Sequence, residues 1–238
     1  KRNYLGKNKG GLMAGINQIR AVKTKTKEKN LYMEDSWLTN QIDDHLEGVM
    51  DAPRKGVFYP SSLGNPCDRY LWLCYNGKMV SQTLAPNLER IFQTGSSLEE
   101  RVDKWLDDMN ILIDREIAVK QELPPISGRI DFLIRHYTYG EHPIELKSIN
   151  TSGFYKLKAP KPEHEIQLQI YLNIGDYNQG TVFYENKNDQ KIKTFVIQRD
   201  IEKWNAILNR CFKIQDMLAR PESCTGSSWC ACRKVGTA

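Results

Sequence analysis

Features that would place the chain in a membrane or outside the cell are missing from the sequence. No apolar run approaches the roughly 20 residues that a helix needs to cross a bilayer. No secretory signal pattern opens the chain. Without a sign of secretion, the six cysteines are not expected to form disulfides, and metal binding becomes the better use for a tight cysteine cluster. We therefore expect a cytoplasmic protein with no membrane association.

Basic residues are concentrated at the amino-terminal end. Residues 1–30 contain nine Lys or Arg side chains against the single acid Glu28, a net charge of +8, whereas the remaining residues sum to −3. A basic arm in front of a slightly acidic body favours attraction to a polyanion such as nucleic acid. The alternative is a solvated terminus without a binding role.

The spacing of apolar residues predicts a mixed α/β fold. We expect helices at 35–50, 67–75, 86–109, 163–176 and 201–219, and strands at 111–121, 128–136, 143–149, 181–184 and 191–198. Helices, then three strands, then a helix and a hairpin are typical of a central mixed sheet with helices packed on it. The predicted organisation is a basic arm and helical region at 1–55, a core at 56–220 and a cysteine-containing tail at 221–238.

Two strand segments contain residues suited to metal chemistry. In Gly128-Arg-Ile-Asp and Pro143-Ile-Glu-Leu-Lys, side chains alternate between the faces of each strand. Glu145 and Lys147 should therefore share a face, and Asp131 should face away from its apolar neighbours. If the strands pair antiparallel, two carboxylates and an ammonium converge. Carboxylate oxygens suit Mg²⁺, and a lysine beside the metal can position the attacking water.

An isolated Glu-x-Lys is common and is usually a surface ion pair, so the surrounding helices decide the interpretation. On the helix at 86–109, Glu99 shares a line with apolar residues, the side that should face the core, whereas Glu100 lies on a polar, solvent-facing line. A carboxylate on an apolar line needs a cationic partner, which makes Glu99 the third acid and Glu100 a surface residue. On the helix at 163–176, Gln167 and Tyr171 are four residues apart and share one face. The alternative for this pair is half-buried packing beneath the sheet.

The order Gly-x3-Glu, Gly-x2-Asp, Glu-x-Lys and Gln-x3-Tyr resembles the PD-(D/E)xK nuclease superfamily. The sequence is most similar to the RecB-like exonuclease branch, which includes phage exonucleases and the CRISPR-associated adaptation nuclease. The resemblance spans about 60–232 and implies phosphodiester hydrolysis dependent on Mg²⁺ or Mn²⁺. By that match the metal ligands are Asp131, Glu145, the carbonyl of Leu146 and Glu99, the water-activating residue is Lys147, and the fourth motif is Gln167 with Tyr171. The resemblance also implies that the protein acts in the cytoplasm of a bacterial or phage-infected host cell.

The cysteines fall into two groups, and one early and three late residues match a further family feature. Cys67, Cys224, Cys230 and Cys232 resemble the iron–sulfur clasp of some RecB-like nucleases, in which a 4Fe-4S cluster ties the chain ends together without taking part in hydrolysis. The tail would then close onto Cys67. Thiolates bind Zn²⁺ equally well in principle, and free thiols on the tail are the remaining alternative. Cys74 and Cys211 lie on apolar segments, which favours burial, although Cys74 could substitute for Cys67.

These observations predict a metal-dependent DNA nuclease, an exonuclease acting on DNA ends, with a structural iron–sulfur cluster. A structure-specific endonuclease is the first alternative. The second is a non-catalytic DNA-binding or scaffold module with a zinc site. Protein partners in recombination, replication or DNA-end processing are implied only by the resemblance.

Overall fold

The computed structural model describes residues 36–79 and 81–225, together with Cys230 and Cys232. The basic segment 1–30 lies outside the described residues. The helices are α1 Trp37–Leu46, α2 Pro60–Leu63, α3 Asp68–Tyr75, α4 Pro86–Asp108, α5 Thr151–Lys156, α6 Pro162–Ile174 and α7 Ile201–Asp216. The strands are β1 Gly48–Met50, β2 Gln82–Leu84, β3 Leu112–Gln121, β4 Ile126–His136, β5 Gly140–Ile149, β6 Gln179–Asn186 and β7 Ile192–Gln198. None of these helices is long and apolar enough to cross a membrane.

The predicted fold class is confirmed, but several short elements were not anticipated. α2, α5 and the ribbon of β1 and β2 contain three to six residues each. That length is too short for a helical or strand period to stand out in a sequence. The helix predicted at 35–50 ends at Leu46 because Glu47 is extended, with φ −61° and ψ 131°. Residues 48–50 pair with β2 instead.

Five strands form the central sheet in the order β3-β4-β5-β6-β7. All neighbouring pairs are antiparallel except β5 and β6, which are parallel. A parallel pair needs a long crossover connection, and here the connection between β5 and β6 is built from α5 and α6. The crossover packs α6 against β5 and β6.

Helices cover the two faces of the sheet with separate apolar layers. On one face α4 buries Leu98, Val102 and Leu106 against Phe132, Ile134, Ile144 and Leu146. On the other face α6 buries Leu168, Tyr171 and Leu172 against Val119, Ile130, Val182 and Tyr184. Because Ile144 and Leu146 belong to the α4 layer, Glu145 and Lys147 project toward α6, as the alternation of β5 predicts.

α2 and α7 pack against α6, α3 packs against α7, and together they support the segment that leads to Cys67. Arg210 of α7 donates hydrogen bonds to Asp68 Oδ1 at 2.8 Å, to the Leu63 carbonyl at 3.0 Å and to the Asn65 carbonyl at 2.7 Å. One planar guanidinium thus satisfies three acceptors in a fixed arrangement. These bonds anchor the turn between α2 and α3, and Cys67 is the residue that caps α3.

Candidate active site and cysteine cluster

The candidate site lies at a fork in the sheet where β4 and β5 separate. Their antiparallel pairing runs from His136 opposite Gly140 to Phe132 opposite Ile144. Past that pair, β4 continues to pair with β3, and β5 pairs with β6. The backbone N–H of Leu146 donates to Oδ2 of Asp131 at 2.7 Å instead of to a β4 carbonyl. Asp131 therefore bridges the fork and is held beside the start of the Glu-x-Lys segment.

Glu145 and Lys147 meet inside this fork, on the α6 side of the sheet. The side chain of Glu145 is fully buried, and the Lys147 ammonium contacts its Oε1. Its Oε2 accepts no hydrogen bond within the described part of the chain. Burial raises the pKa of Glu145 to about 8, the nearby Asp131 adds to that rise, and Lys147 opposes it. A buried carboxylate oxygen without a donor is costly, and a bound cation would satisfy it.

Two further acids, Glu99 and Glu116, lie near Asp131. Burial raises the pKa of Asp131 itself, although the Leu146 N–H and the charge of Lys147 lower it. Glu99 is exposed, so its predicted core-facing position is wrong. The buried stripe of α4 consists of Leu98, Val102 and Leu106. Desolvation and then the nearby charge of Asp131 raise the pKa of Glu99. Glu100 is exposed, as expected.

Glu116, which was not predicted from the sequence, also lies near Asp131. The register of β3 and β4 places it opposite Asp131, and its carboxylate pairs with Arg129 at 3.1 Å. Its φ of 50° is unusual for a residue within a strand. Ile130 and Phe132 flank Asp131 and would share a face in a regular strand. Here Ile130 packs in the α6 layer, whereas Phe132 packs in the α4 layer. The strict alternation predicted around Asp131 therefore does not hold, and no periodic signal reveals Glu116.

Gln167 and Tyr171 lie on the α6 face that looks toward the fork. Gln167 Nε2 donates to the Tyr171 hydroxyl at 3.1 Å, and both side chains are buried. Burial raises the pKa of Tyr171, with Glu145 as the next cause. Both residues and Asp131 line an open cleft of about 530 Å³ whose rim includes Arg54 and Arg129. Gln167 and Tyr171 therefore share one face of α6, as predicted, and their catalytic role stays a prediction.

Gly128 of the Gly-x2-Asp segment is required by close packing beside this cleft. A Cβ at this position would lie 2.7 Å from Pro60 Cγ and 3.1 Å from Tyr171 Cε1. Contacts this short force a neighbouring ring to move. The glycine thus allows α2 and α6 to approach β4 where the cleft opens.

His164 is a second residue near the site that the sequence analysis did not select. Its Nδ1 lies 2.8 Å from the Tyr184 hydroxyl, which also accepts a hydrogen bond from the Lys161 N–H at 2.9 Å. Tyr184 of β6 is the registered neighbour of Lys147 on β5. Burial lowers the pKa of His164 to about 3, and the charges of Lys147 and Lys161 contribute. The i, i+3, i+7 spacing to Gln167 and Tyr171 puts His164 on the same helix face.

The structure brings the four predicted cysteines together. The Sγ atoms of Cys67, Cys224, Cys230 and Cys232 all lie within 4.8 Å of one another. Cys67 Sγ is 3.5 Å from Cys224 Sγ and 3.6 Å from Cys232 Sγ. The backbone N–H of Tyr70 donates to Cys67 Sγ at 3.4 Å. Cys74 and Cys211 are buried outside this group, as predicted. Of the two early cysteines, Cys67 belongs to this group of four sulfurs, and Cys74 packs beside it.

The predicted ligand role of Leu146 concerns its carbonyl, whereas its N–H is the group that contacts Asp131. That role stays a prediction. The other acids and the lysine of the predicted set lie around the fork, so chain segments separated by up to 48 positions, from Glu99 to Lys147, meet at one place.

Comparison with known proteins gives structural neighbours only. No protein-family model matches the sequence, and no curated protein matches it. SSO0001 is similar over 78% of this chain and 86% of its own, with 19% identity and a TM-score of 0.52. The alkaline exonuclease LHK-Exo from Laribacter hongkongensis is similar over 74% of this chain and 90% of its own, with 15% identity and a TM-score of 0.51. LHK-Exo in complex with dAMP gives 17% identity and a TM-score of 0.51 over 67% of this chain and 86% of that one. The chain shares its fold with these proteins.

Proposed function

We propose that the protein is a metal-dependent deoxyribonuclease of the RecB-like branch of the PD-(D/E)xK superfamily and that it shortens DNA from an end. The observation that carries this proposal is the fork. There, Asp131 and Glu145 project into one site with Lys147 beside them. The motif order in the sequence and the fold shared with LHK-Exo support the family. That neighbour is an alkaline exonuclease and was solved with dAMP, which supports DNA as the partner here.

The donor set fits a hard divalent cation. Asp131 and Glu145 supply carboxylate oxygens, and the buried Oε2 of Glu145 lacks a donor among the described residues. Mg²⁺ in phosphoryl-transfer sites uses one or two carboxylates together with the substrate phosphate. We propose Glu99 and the Leu146 carbonyl as further ligands. A bound Mg²⁺ or Mn²⁺ ion would supply Lewis-acid activation of the phosphodiester.

The other side chains around the cation site would position the attacking water and bind the DNA phosphates. Lys147 sits against Glu145 and would hold the attacking water while its charge offsets that of the reacting phosphate. Gln167 orients the Tyr171 hydroxyl at the edge of the cleft, where the pair would contact a DNA phosphate. Arg54 and Arg129 line the same cleft and would attract the phosphate backbone. Because a ligating carboxylate must be ionised, the high pKa of Glu145 predicts cation affinity that increases with pH up to about 8.

The cysteine cluster is proposed to be a structural metal centre that does no hydrolysis. Four thiolates suit a 4Fe-4S cluster, which is our assignment, and also suit Zn²⁺. One observation favours zinc as the second candidate. Thiolates around one tetrahedral zinc ion lie about 3.8 Å apart when each bond is about 2.3 Å, close to the distances from Cys67 Sγ to the sulfurs of Cys224 and Cys232. In a 4Fe-4S cluster each of the four cysteines binds a different iron, so the sulfurs would have to lie farther apart than they do here. Absorption near 400 nm with bound iron supports the cluster, and a colourless zinc protein supports the alternative.

The function is tested with end-labelled linear DNA and closed circular DNA in Mg²⁺ or Mn²⁺. The wild type, Lys147→Ala and Lys104→Ala are compared, because Lys104 is an exposed lysine on α4. We expect wild type and Lys104→Ala to shorten linear DNA and spare the circle, and Lys147→Ala to lose at least about a hundredfold in rate.

Each alternative has its own outcome in this assay. Cutting of the circle by the wild type, abolished in Lys147→Ala, indicates a structure-specific endonuclease. Equal inactivity of the wild type and Lys147→Ala with both metals refutes catalysis. A non-catalytic DNA-binding or scaffold module would then be the conclusion.

A further inference from the structure

A strongly basic surface, which we call the lysine platform, is formed by residues 150–161 and 186–193. It contains six lysines and one acid, a net charge of +5: Lys156, Lys158, Lys161, Lys187, Lys191, Lys193 and Asp189. The rest of the chain from residue 31 onward then carries −8. A local excess of this size within an acidic body creates a positive potential and attracts a polyanion.

Hydrogen bonds hold the two halves of the lysine platform together. The Thr151 hydroxyl donates to Asn188 Oδ1 at 2.8 Å, and the Tyr155 hydroxyl donates to Asp189 Oδ2 at 3.1 Å. Lys193 Nζ donates to the carbonyls of Phe154 at 2.8 Å and Leu157 at 3.1 Å, so this lysine is used to secure the end of α5. The surface is therefore a rigid unit and not a collection of independent side chains.

Other side chains of the lysine platform face solvent. Lys156 and Lys158 are exposed, and neither forms an ion pair within the described residues. The Tyr155 hydroxyl contacts Asp189 and Lys191 of the β6–β7 turn, and Lys191 Nζ lies 5.5 Å from the ring centroid. Tyr155 is nevertheless 56% exposed. An exposed aromatic ring among lysines has the composition of a single-strand binding surface, in which bases stack and phosphates meet cations.

The lysine platform is continuous with the candidate active site. α5 begins two residues after β5 ends at Ile149, and Lys147 lies two residues before that end. The Lys161 N–H donates to the hydroxyl of Tyr184, the registered neighbour of Lys147. A strand held at the fork would therefore meet the platform within a few nucleotides.

We propose that the lysine platform binds single-stranded DNA adjoining the scissile bond, with phosphates on Lys156 and Lys158 and a base on the Tyr155 ring. The inference rests on the proposed nuclease function and adds the substrate class and the path of the strand.

The test measures fluorescence anisotropy of a labelled single-stranded oligonucleotide over a range of KCl concentrations. Every protein carries Lys147→Ala, so binding is read without cleavage. Lys156→Ala/Lys158→Ala is expected to lower the slope of log affinity against log salt by about 1.4, the value for two contacts to single-stranded phosphates. The matched control Lys78→Ala/Lys104→Ala removes two exposed lysines elsewhere and is expected to leave that slope unchanged.

The Tyr155 contact is tested separately. Tyr155→Ala is expected to weaken binding about tenfold. Tyr155→Phe, which keeps the ring and loses the hydroxyl's bonds with Asp189 and Lys191, is expected to bind as the parent does. Equal affinity and salt slope in the lysine variant and its control would overturn the proposal. The proposal would also be overturned if the lysine variant weakened binding of the labelled duplex of the same sequence and left binding of the single strand unchanged. Failure of the nuclease function is recognised independently, because it is read from cleavage by the wild type.

A separate observation, the hydrogen-bond chain at His164, carries a second inference. The Lys161 N–H can only donate, so the Tyr184 oxygen accepts it. Tyr184 is fully buried, and its hydroxyl has no other acceptor in the described structure than His164 Nδ1. A buried hydroxyl proton takes the available acceptor. Nδ1 is therefore the acceptor, and the proton of the neutral ring is on Nε2.

We infer that the Nε2–H of His164 donates a hydrogen bond to a phosphate oxygen of DNA bound beside Lys147. This also rests on the proposed function. The helix face shared with Gln167 and Tyr171 supports the direction, and so does the register of Tyr184 with Lys147.

Two amides separate the roles of the two ring nitrogens of His164. The amide of asparagine reaches only the Nδ1 position, whereas the amide of glutamine reaches the Nε2 position. We expect His164→Gln to keep kcat/KM within a few-fold of wild type and His164→Asn to lose about ten- to a hundredfold, the range of a hydrogen bond to a charged group. If His164→Asn is active and His164→Gln is not, the residue only positions Tyr184 and the inference fails. Equal thermal stability of the two variants excludes a folding defect.

Discussion

Replacement of Glu145 by glutamine tests whether the active site is stabilised or strained in the absence of a cation. The side chain is fully buried, and its pKa is raised from 4.5 to about 8. Between these pH values the folded protein keeps a proton that the unfolded chain has released. The free energy of unfolding of the metal-free wild type should therefore fall as the pH rises from about 4.5 to 8.

The size of the effect follows from the same two values. The difference between 4.5 and about 8 corresponds to about 4 kcal/mol at pH 8 as a ceiling. Water entering the fork and the loss of the Lys147 contact in the variant reduce the expected gain to about 2 kcal/mol. For a chain of this size Glu145→Gln should raise Tm by about 4–8 °C at pH 8 and should have little effect at pH 5.

The assay is thermal unfolding followed by circular dichroism at pH 5, 6, 7 and 8 in buffer stripped of free divalent cations, with the cysteine-bound metal retained. The wild-type Tm should fall relative to that of Glu145→Gln as the pH rises, and added Mg²⁺ should stabilise only the wild type at pH 8. Parallel profiles of Tm against pH for the two proteins would refute the argument that the buried Glu145 carboxylate destabilises the metal-free fold when it is ionised.

Three further substitutions have expected outcomes. Glu99→Gln should raise the Mg²⁺ concentration needed for half-maximal cleavage several-fold, whereas Glu100→Gln should not, as read from a metal titration; equal curves would remove Glu99 from the site. Cys232→Ser should lose the bound metal and lower Tm, while Cys74→Ala should retain the metal; metal analysis of both proteins decides this. Gly128→Ala should cost about 1–3 kcal/mol in urea unfolding and slow cleavage, because its Cβ would meet Pro60 at 2.7 Å; a fully stable, active variant would contradict the packing argument.

Much of the fold could be predicted because long elements carry a clear period. The apolar spacing of the long helices and the alternation of β5 are local properties, and they placed Glu145 and Lys147 on one strand face. The resemblance to a nuclease superfamily added an order of motifs, which periodicity alone does not supply. Elements of three to six residues gave no such signal and were missed.

The positions of Glu99 and Glu116 show what a local sequence pattern does not predict. Glu99 shares an apolar line of an ideal helix with Val102 and Leu106, yet it is exposed, since the stripe that α4 buries against the sheet runs through these two residues and Leu98. Glu116 adopts a φ of 50° in the middle of a strand. Neither feature is encoded in a residue period, since each depends on how a second element packs against the first.

The sequence by itself determined the chemistry that is available: carboxylates and a lysine at strand spacing, four thiols, and the period of the elements that contain them. Only the tertiary structure decided which of these groups meet. The separation of β4 and β5 brings Asp131 to the Leu146 amide, and the parallel register of β5 and β6 puts Tyr184 and His164 beside Lys147. Burial then raises the pKa of Glu145. The physical reason is that desolvation and long-range contacts depend on distances between segments, which a local pattern does not specify.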